Sequence, residues 1–505
     1  MCGILAYFGN KISEEKFKVS LELMDHRGPD YTGFYFKDGV MFGHKRLSII
    51  DLSEHSNQPF QIGDYIMIFN GEIYNYLELK IDHQIETNTD SDTEVLLRMY
   101  IKYGPKCLDF LNGMFSLVIY NIKTMDVFVA RDRLGIKPLY YYNKNNENIF
   151  SSEIASILKL YPSEFDDFGL RQYRKLRMTI KNYTIYKDIK QFPPGYYSFN
   201  GLLHKYWDID PQKNENPKDE DLDALLRDSV NLRKRSDVPV GTYLSGGLDS
   251  TILTYLLKPE HTWTVGFHEL NEFAWTDIAD SLLDSQHHKT VVNQKTFLET
   301  GEWMIKKRRE PLSVPNEILI YLMTKAVKKE NTVVLSGEGA DELFWGYDRI
   351  FRWAKEQKNI QITDFDDKYC YGSNIDNEVI DFALEGIPGG NPLEKIAYFF
   401  QKYHLHGLLR RVDNSTMLCS VEARVPFVDH RLVEMMIGAS FEWKMGNSFK
   451  EPLKRVYADL IPRQIINRKK IGFPVPLEQV FSNKLKANTN PMDAWLEYNI
   501  NLISK

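Results

Sequence analysis

The chain has 505 residues, a charged fraction of 26%, a hydrophobic fraction of 43% and a formal net charge of -6. This composition is typical of a soluble globular protein, and at roughly 150 residues per domain the length predicts two or three domains. The negative net charge, without a long basic run, excludes a general affinity for nucleic acid or for anionic membranes.

Membrane insertion and secretion are not expected either. No apolar stretch approaches the ~18 residues that would cross a bilayer, and the N-terminus lacks the basic-then-apolar order of a signal peptide. The four cysteines are scattered, with neither a CxxC pair nor metal-ligand spacing: Cys2, Cys107, Cys370 and Cys419. We therefore expect reduced thiols and a cytoplasmic location.

The first 205 residues predict mainly strands. Residues 93–100 have the apolar spacing of a helix, and seven runs have strand patterns: 33–36, 40–50, 65–69, 114–120, 127–131, 139–142 and 196–199. Long strands with few helices predict packed sheets flanked by helices. Within this region, Asn70-Gly71 follows an alternating run and is by default a hairpin turn.

Cys2 gains a chemical role if Met1 is removed, because one residue then carries a thiol and an α-amine. The amine has a reference pKa of ~7.7–8.0 and the thiol one of ~8.5, so the amine can accept the thiol proton near neutral pH. Position alone does not distinguish this nucleophile from a small residue tolerated at the start of a chain.

Six motifs occur in the order and spacing of a known family. They are MCGI at 1–4, HRGPD at 26–30, HKRLSI at 44–49, NGEIYN at 70–75, SD at 91–92 and RDRLGIKPLYY at 131–141. Together they resemble the class II glutamine amidotransferases. The resemblance implies an α+β N-terminal nucleophile sandwich (αββα) over residues 1–207, in which Cys2 attacks the glutamine amide to give a glutamyl thioester and ammonia.

The same resemblance implies roles for the residues around Cys2. The Asn70 side chain and the Gly71 N–H would form an oxyanion hole. Arg46 would hold the glutamine α-carboxylate and Asp92 its α-ammonium. The pocket would be completed by Glu72 and the backbone of Leu47, Ser48, Ile49 and Ile50.

Residues 208–220 are polar, contain two prolines and are predicted to be a linker. After it, strand and helix patterns alternate: strands at 239–244, 262–267, 289–292 and 332–335, and helices at 251–257, 275–283, 297–307 and 317–328. This β-α repeat predicts a parallel sheet with helices on both faces and ligands at the carboxyl ends of the strands.

The first of these strands leads into the turn LSGGLDS at 244–250. A glycine-rich turn before a helix presents backbone N–H groups and the positive end of the helix dipole, which favour a phosphate. Ser245 and Ser250 add hydroxyl donors, whereas Asp249 would repel a phosphate unless Mg²⁺ lay between them. The alternative is a tight turn that needs its two glycines, and a short glycine motif alone does not decide between these interpretations.

The last strand leads into SGEGADELF at 336–344, a second glycine-rich turn that carries three carboxylates. Acidic residues in the first turn of a helix also favour its dipole, which is the structural alternative. Because both turns follow parallel strands, we expect them at one edge of the sheet. Asp249 and Asp341 would then share Mg²⁺ around a triphosphate.

Five motifs of the second half occur in the order found in one family: SGGLDS, SGEGADELF, the stretch from RVD to VEARVPFVD at 411–429, KEPLK at 450–454 and RKKIGFPVP at 468–476. They resemble the synthetase domain of glutamine-hydrolysing asparagine synthetases. This implies an ATP-pyrophosphatase-type α/β domain over residues 221–505. ATP would adenylate the aspartate β-carboxylate with release of pyrophosphate, and ammonia arriving through an internal tunnel would displace AMP. The implied ligands are glutamine, aspartate, ATP and Mg²⁺, and a homodimer is compatible with the resemblance.

Site roles in this half follow from matched positions. Glu338 would assist formation of the intermediate or accept a proton from ammonia. Arg424 would contact an aspartate carboxylate, and its alternative is an ion pair with Glu422 or Asp429. The adenosine would contact Leu244, Val265, Ser336 and Gly337, and the pyrophosphate would contact Ser245, Gly246, Gly247, Asp249, Ser250 and Lys450.

Two alternatives remain open from the sequence. A relative with the same activating groups would amidate another carboxylate, such as a sugar acid, a peptide or an amino-acid derivative. A non-catalytic module would have lost at least one chemical group, yet the candidate groups are all present. Trp345 departs from the small residue that often follows the second turn in this family, which leaves the shape of that pocket open.

Overall fold

The computed structural model describes residues 2–209, 215–446, 448–469, 475–481 and 490–504. We refer to residues 2–209 as the N-terminal part and to the described residues from 215 onward as the C-terminal part. Residues 210–214 of the predicted linker and residues 470–474 of the RKKIGFPVP motif lie outside the described residues. Helix α6 begins at Asp219, so the last residues of the predicted linker are helical.

The N-terminal part contains two antiparallel six-stranded sheets, with strand orders β10-β8-β9-β1-β3-β2 and β12-β11-β7-β6-β5-β4. The strands are β1 Gly3–Phe8, β2 Tyr31–Lys37, β3 Val40–Arg46, β4 Phe60–Ile62, β5 Tyr65–Ile73, β6 Gly113–Asn121, β7 Val127–Arg131, β8 Tyr140–Lys144, β9 Glu147–Ser151, β10 Ile189–Gln191, β11 Tyr196–Phe199 and β12 Leu202–Lys205. The helices are α1 Glu14–Glu22, α2 Tyr76–Asp82, α3 Asp92–Tyr103, α4 Ile154–Leu160 and α5 Asp167–Leu176.

The alternation of side chains along the strands builds four layers. Ile4 and Ala6 of β1 face the other sheet and pack with Ile68 of β5, whereas Leu5 and Tyr7 face the opposite way into the cluster that contains α1 and α4. On the outer face of the second sheet, Met67 and Phe69 pack against α3. The predicted αββα sandwich is therefore confirmed.

The C-terminal part contains one parallel sheet with the order β15-β14-β13-β16-β17. Its strands are β13 Val240–Tyr243, β14 His261–Phe267, β15 Gln286–Val292, β16 Val333–Leu335 and β17 Glu422–Arg424. Its helices are α6 Asp219–Arg233, α7 Leu248–Leu257, α8 Phe273–Asp280, α9 Gln294–Arg308, α10 Asn316–Val327, α11 Ala340–Leu343, α12 Asp348–Glu356, α13 Ile362–Tyr369, α14 Asn377–Leu384, α15 Pro392–Phe399, α16 Leu405–Met417, α17 His430–Ile437, α18 Phe441–Met445, α19 Glu451–Val456, α20 Arg463–Ile466, α21 Leu477–Val480 and α22 Pro491–Ile503.

Helices cover both faces of this sheet, as the β-α repeat predicts. Val333 and Leu335 of β16 pack with α6 and α7, whereas Val334 lies in the cluster formed with α9 and α10. Apolar residues of the N-terminal part, including Ile49 and Met178, belong to the same buried cluster as the first of these faces. The two parts thus share a core. Among the described helices, none combines the length and apolar character needed to span a bilayer.

Candidate active sites

The Asn70-Gly71 pair is not a hairpin turn, because β5 continues unbroken to Ile73. Asn70 lies opposite Ser116 of β6 and Gly71 lies opposite Phe115. A Cβ atom at position 71 would lie 2.1 Å from the Met114 carbonyl oxygen, so glycine is needed there for close strand approach. The default interpretation of this dipeptide as a turn is therefore wrong.

The structure brings Cys2 and Asn70 together across the two sheets. The Cys2 backbone N–H donates to Asn70 Oδ1 at 3.0 Å. An N–H group can only donate, so this bond fixes which end of the amide is oxygen. Asn70 Nδ2 is buried and has no hydrogen-bond partner among the described atoms. A buried amide donor therefore lies next to the candidate nucleophile without a protein acceptor.

The environment of the Cys2 thiol favours its neutral form. Burial raises the pKa of the Cys2 thiol, an effect opposed by a hydrogen bond from the Leu47 backbone and by the positive charge of Arg46. The backbone carbonyl of Cys2 accepts a hydrogen bond from Arg27 Nε at 3.1 Å, which fixes the start of β1. The thiol thus needs a base before it can act as a nucleophile.

Arg46 ends β3, where the following loop surrounds its guanidinium group. Its Nη1 donates to the Ser53 carbonyl at 2.7 Å and to Asn57 Oδ1 at 2.8 Å, and its Nη2 donates to the Asp51 carbonyl. These contacts orient the guanidinium group and involve neutral oxygens, so they leave its charge uncompensated. The predicted backbone contacts Leu47, Ser48, Ile49 and Ile50 follow directly, and Ser48 N–H donates to Asp30 Oδ2 at 2.7 Å.

Two buried carboxylates lie near β5. Asp92 Oδ2 accepts the Ile73 N–H at 2.9 Å, and burial raises the pKa of Asp92 to about 6. Burial, together with Glu422 and Asp92, raises the pKa of Glu72 well above its usual range. Both groups would be stabilised in their charged forms by a ligand ammonium group, because each is desolvated and close to another carboxylate.

The two glycine-rich turns lie next to each other, since β13 and β16 are neighbouring parallel strands with Thr242 opposite Leu335. Each turn contains a glycine in the left-handed region, Gly246 at φ 68° and Gly339 at φ 94°. A Cβ atom on Gly337 would lie 3.3 Å from the Asp249 Cβ atom, so the turns are in direct contact. The expectation that both meet at one edge of the sheet is confirmed.

Lys450 joins the two turns. Its Nζ lies 2.5 Å from Asp249 Oδ2 and 2.5 Å from Asp341 Oδ1, which places the two carboxylate oxygens no more than 5.0 Å apart. Burial disfavours the charged form of Lys450, but the two carboxylates outweigh this effect and raise its pKa. The turns therefore present a compact arrangement of one cation and two anions.

A cavity of about 630 Å³ opens over this arrangement. The predicted residues that line it are Ser245, Gly247, Asp249, Ser250, Ser336, Gly337, Glu338, Asp341 and Lys450. Three of the predicted nucleotide contacts are not among its lining: Leu244, Gly246 and Val265. The Leu244 N–H donates to the Trp263 carbonyl at 2.8 Å, and Val265 pairs with Thr290 inside the sheet, so sheet formation occupies part of their backbone.

The carboxylates of Asp249 and Asp341 fit Mg²⁺ in type and spacing, since this ion prefers oxygen ligands and is usually held by one or two carboxylates together with substrate phosphates. No group of three or more histidine, cysteine or acidic side chains among the described residues is arranged to hold a metal. A divalent cation at these two residues would therefore need further ligands from a bound nucleotide or from water.

The structure does not bring Arg424 to the cavity. Arg424 is fully buried in β17, where its Nε lies 2.6 Å from Glu422 Oε1, and its Nη1 donates to the carbonyls of Arg233 and Arg235. Its Nη2 lies 3.8 Å from Glu72 of the N-terminal part. The ion pair with Glu422, which was the alternative interpretation, is the one that forms, because β17 is the edge strand next to the N-terminal part.

Several residues around the cavity were given no role in the sequence analysis. Arg411 Nη2 donates to Glu338 Oε1 at 2.9 Å, and Arg468 Nη1 donates to the Gly246 carbonyl at 2.8 Å. Both belong to recognised motifs but had no assigned partner. Arg177 also lines the cavity although it belongs to the N-terminal part, and no local pattern marks it. Trp345 is buried against Phe351 and is not among the lining residues.

Comparison with known proteins matches the two parts of the chain to two different families. The family pattern of the glutamine amidotransferase domain matches residues 1–207, and that of asparagine synthase matches residues 221–493.

The relatives that match over nearly the whole chain include the following three. Glutamine-hydrolysing asparagine synthetase 1 of Bacillus subtilis is 32% identical, with 96% of this chain and 88% of its own length covered. Glutamine-hydrolysing asparagine synthetase 3 of the same organism is 31% identical, with coverages of 94% and 87%. The amidase chry2 of Gibberella zeae is 27% identical, with coverages of 98% and 90%. The chain belongs to the family of glutamine-hydrolysing asparagine synthetases.

Proposed function

We propose that this chain makes asparagine from aspartate, with ATP to activate the acceptor and glutamine to supply nitrogen. The observation that carries the proposal is Lys450, whose Nζ lies 2.5 Å from a carboxylate of each glycine-rich turn. A nucleoside triphosphate bound over both turns would contact this cation and the free N–H groups of the helix that follows the first turn. Residues 1–207 would form the glutaminase domain, 208–220 the linker and 221–505 the synthetase domain.

Nitrogen release would begin at Cys2. The thiolate sulfur attacks the side-chain amide carbon of glutamine, the carbon–nitrogen bond breaks and the nitrogen leaves with a proton as ammonia. Water then hydrolyses the thioester to glutamate. Asn70 Nδ2 and the Gly71 N–H would stabilise the oxyanion of each tetrahedral intermediate, and a buried donor with no other partner suits this role because it needs no reorganisation.

Recognition of glutamine would use opposite charges at its α-carbon. Arg46, whose polar contacts are neutral oxygens, would pair with the α-carboxylate. Asp92 would accept the α-ammonium. The raised pKa of Asp92 supports this role, since a bound cation would restore the charged form that burial disfavours.

Activation of aspartate would occur in the cavity of the C-terminal part. A carboxylate oxygen of aspartate attacks the α-phosphorus of ATP, the bond to the bridging oxygen breaks and pyrophosphate leaves. Lys450 and the N–H groups after Ser245 would stabilise the departing pyrophosphate. Mg²⁺ held by Asp249 and Asp341 would neutralise further phosphate charge. Leu244, Val265, Ser336 and Gly337 remain the proposed adenosine contacts.

Capture of ammonia would complete the reaction. Ammonia attacks the activated carbonyl, AMP leaves and a proton is lost from nitrogen. Glu338 would accept this proton, and its contact with Arg411, which holds the carboxylate at the cavity wall, supports this role. The shared core of the two parts supports transfer of ammonia through the protein interior.

A second candidate is amidation of a different carboxylate by the same chemistry. The near full-length match to the amidase chry2 supports this second candidate. The activating groups would be unchanged, and only the acceptor pocket would differ.

One experiment tests both candidates. Purified protein incubated with ATP, Mg²⁺, glutamine and aspartate should yield AMP, pyrophosphate, glutamate and asparagine. ADP as the nucleotide product would refute the adenylate mechanism. Pyrophosphate release that does not depend on aspartate would refute aspartate as the acceptor and favour the second candidate.

A further inference from the structure

We propose that Arg177 binds the acceptor carboxylate that is not activated, so that the N-terminal part completes the acceptor pocket of the C-terminal part. This inference rests on the proposed function and names a residue that decides its specificity. Arg177 follows α5, and its side chain lines the same cavity as Lys450 and Glu338. It belongs to the half of the chain that carries Cys2, not to the synthetase half.

The residue after Arg177 contacts the helix that carries Arg411. The next residue, Met178, packs directly on α16, because a Cβ atom on Gly407 would lie 2.3 Å from its sulfur. Arg411 lies four residues further along the same helix, which is about one turn, or ~5.4 Å. Arg411 contacts Glu338 at 2.9 Å. An acceptor with its reacting carboxyl near Glu338 would therefore reach toward Arg177 with its other end.

The charges around the cavity leave this cation without a protein anion. Arg411 pairs with Glu338, Lys450 pairs with Asp249 and Asp341, and Arg468 pairs with Glu272. The cavity also contains Lys454 and Lys469, which lie within a few residues of Lys450 and Arg468 on the side of the first glycine-rich turn.

Arg177 differs from Arg411, Lys450 and Arg468, which have carboxylate partners, and shares with Lys454 and Lys469 the lack of an ion pair among the described residues. No carboxylate among the described residues lies within ion-pair distance of it, and its Nε is buried without a hydrogen-bond partner. Its Cζ atom lies over the Tyr371 ring, 3.9 Å from the ring centre, and this contact orients the guanidinium group. A flat guanidinium held against an aromatic face is arranged to bind a carboxylate through two parallel hydrogen bonds.

Aspartate suits this arrangement because it carries two carboxylates of which only one is activated. An acceptor without the second carboxylate would leave Arg177 unpaired in the cavity, which disfavours binding of that acceptor. β-Alanine is the matched probe, since it is aspartate without the α-carboxylate and keeps both the reacting carboxyl and the amine.

The test compares aspartate with β-alanine in acceptor-dependent exchange of labelled pyrophosphate into ATP, which needs no nitrogen donor. Arg177→Ala should lower kcat/KM for aspartate by about 10- to 100-fold, the range expected for a lost charged hydrogen-bond pair, while the values for β-alanine and the KM for ATP change little. The kcat/KM of Arg177→Lys for aspartate should lie between those of wild type and Arg177→Ala, because lysine keeps the charge but lacks the planar guanidinium group. Arg174→Ala is the matched control, since Arg174 pairs with exposed Glu497 outside the cavity and should leave all values unchanged.

The outcomes separate this inference from the function on which it rests. An unchanged ratio of aspartate to β-alanine in Arg177→Ala would overturn the inference while leaving the function intact. An equal rise in the KM values for ATP and aspartate would assign Arg177 to the nucleotide and also overturn it. Wild-type protein without aspartate-dependent exchange would overturn both. Glutaminase activity at the wild-type level shows that the variants are folded.

Discussion

Replacement of Asn70 by alanine removes the donor that the structure leaves without a protein partner. In the folded chain Asn70 Oδ1 accepts the Cys2 N–H at 3.0 Å, which directs Nδ2 away from that bond. The loss of one oxyanion donor typically costs about 2.7–4 kcal/mol of transition-state stabilisation, or a 10²- to 10³-fold loss in kcat. We therefore expect Asn70→Ala to lower glutaminase kcat by about 10²- to 10³-fold.

The measurement should separate catalysis from folding. Glutamate release from glutamine reports the N-terminal site, and asparagine formation from ammonia reports the C-terminal site. Ser116→Ala is the matched control, because Ser116 is the buried polar residue opposite Asn70 on β6, and its hydroxyl donates to the Pro138 carbonyl and not to Cys2. It should lower stability without lowering glutaminase kcat by more than about threefold.

Two results would refute this reasoning. Glutaminase kcat within threefold of wild type in Asn70→Ala would mean that Nδ2 does not stabilise the oxyanion. A parallel loss of ammonia-dependent synthesis would mean that the substitution acts through the fold shared by both parts.

Three further predictions follow from other groups. Cys2→Ala should abolish synthesis from glutamine and leave synthesis from ammonia intact, as measured by asparagine formation; loss of both would argue against separable sites. Lys450→Met should leave two carboxylates without their shared cation, so pyrophosphate release should be lost with either nitrogen source while glutamate release persists. Burial lowers the pKa of His44 to about 3 from 6.5, so the unfolded chain binds a proton on this residue more readily than the folded chain does. The stability that depends on neutral His44 is complete above pH 6.5 and is lost as pH falls toward 3. The free energy of unfolding should therefore be about 2 kcal/mol lower at pH 5 than at pH 7. Urea unfolding at pH 7 and pH 5 should show this difference in wild type and a smaller one in His44→Gln; an identical pH dependence in both would contradict it.

Local patterns predicted that the two glycine-rich turns meet at one edge of the sheet. The β-α alternation placed both glycine-rich turns after parallel strands, and the observed neighbours β13 and β16 bring them into contact. This prediction was possible because a parallel sheet aligns the carboxyl ends of its strands, so that turns after two such strands lie at the same edge of the sheet. Lys450 could be linked to the turns only through resemblance, because it lies about two hundred residues from Asp249 in the chain and no periodicity connects them.

The wrong expectations concern residues whose surroundings come from distant segments. The Asn70-Gly71 pair has a strong local preference for a turn, but pairing with β6 along the whole of β5 overrides it. Arg424 lies in a motif of mixed charge and apolar residues, and the motif does not reveal which side of β17 faces the other half of the chain. Arg177 carried no expectation, because its place in the cavity lining depends on contacts such as that of Met178, which follows α5, with Gly407 of α16.

Buried charges at the junction of the two parts constrain how nitrogen can move between the sites. Arg27 Nη2 lies 2.9 Å from Asp413 Oδ2, and Asn112 Nδ2 lies 3.0 Å from Asp429 Oδ2, with each pair formed across the junction by buried groups. Separation of the parts would remove Arg27 from Asp413 and Asn112 from Asp429, and for the Arg27–Asp413 pair the loss of one partner of a buried ion pair costs about 3–5 kcal/mol. A hinge that opened the junction in every catalytic cycle would meet this cost repeatedly. Under the proposed function, the junction should therefore stay closed during turnover, and ammonia that forms at Cys2 should then reach the cavity through the protein interior without passing through solvent.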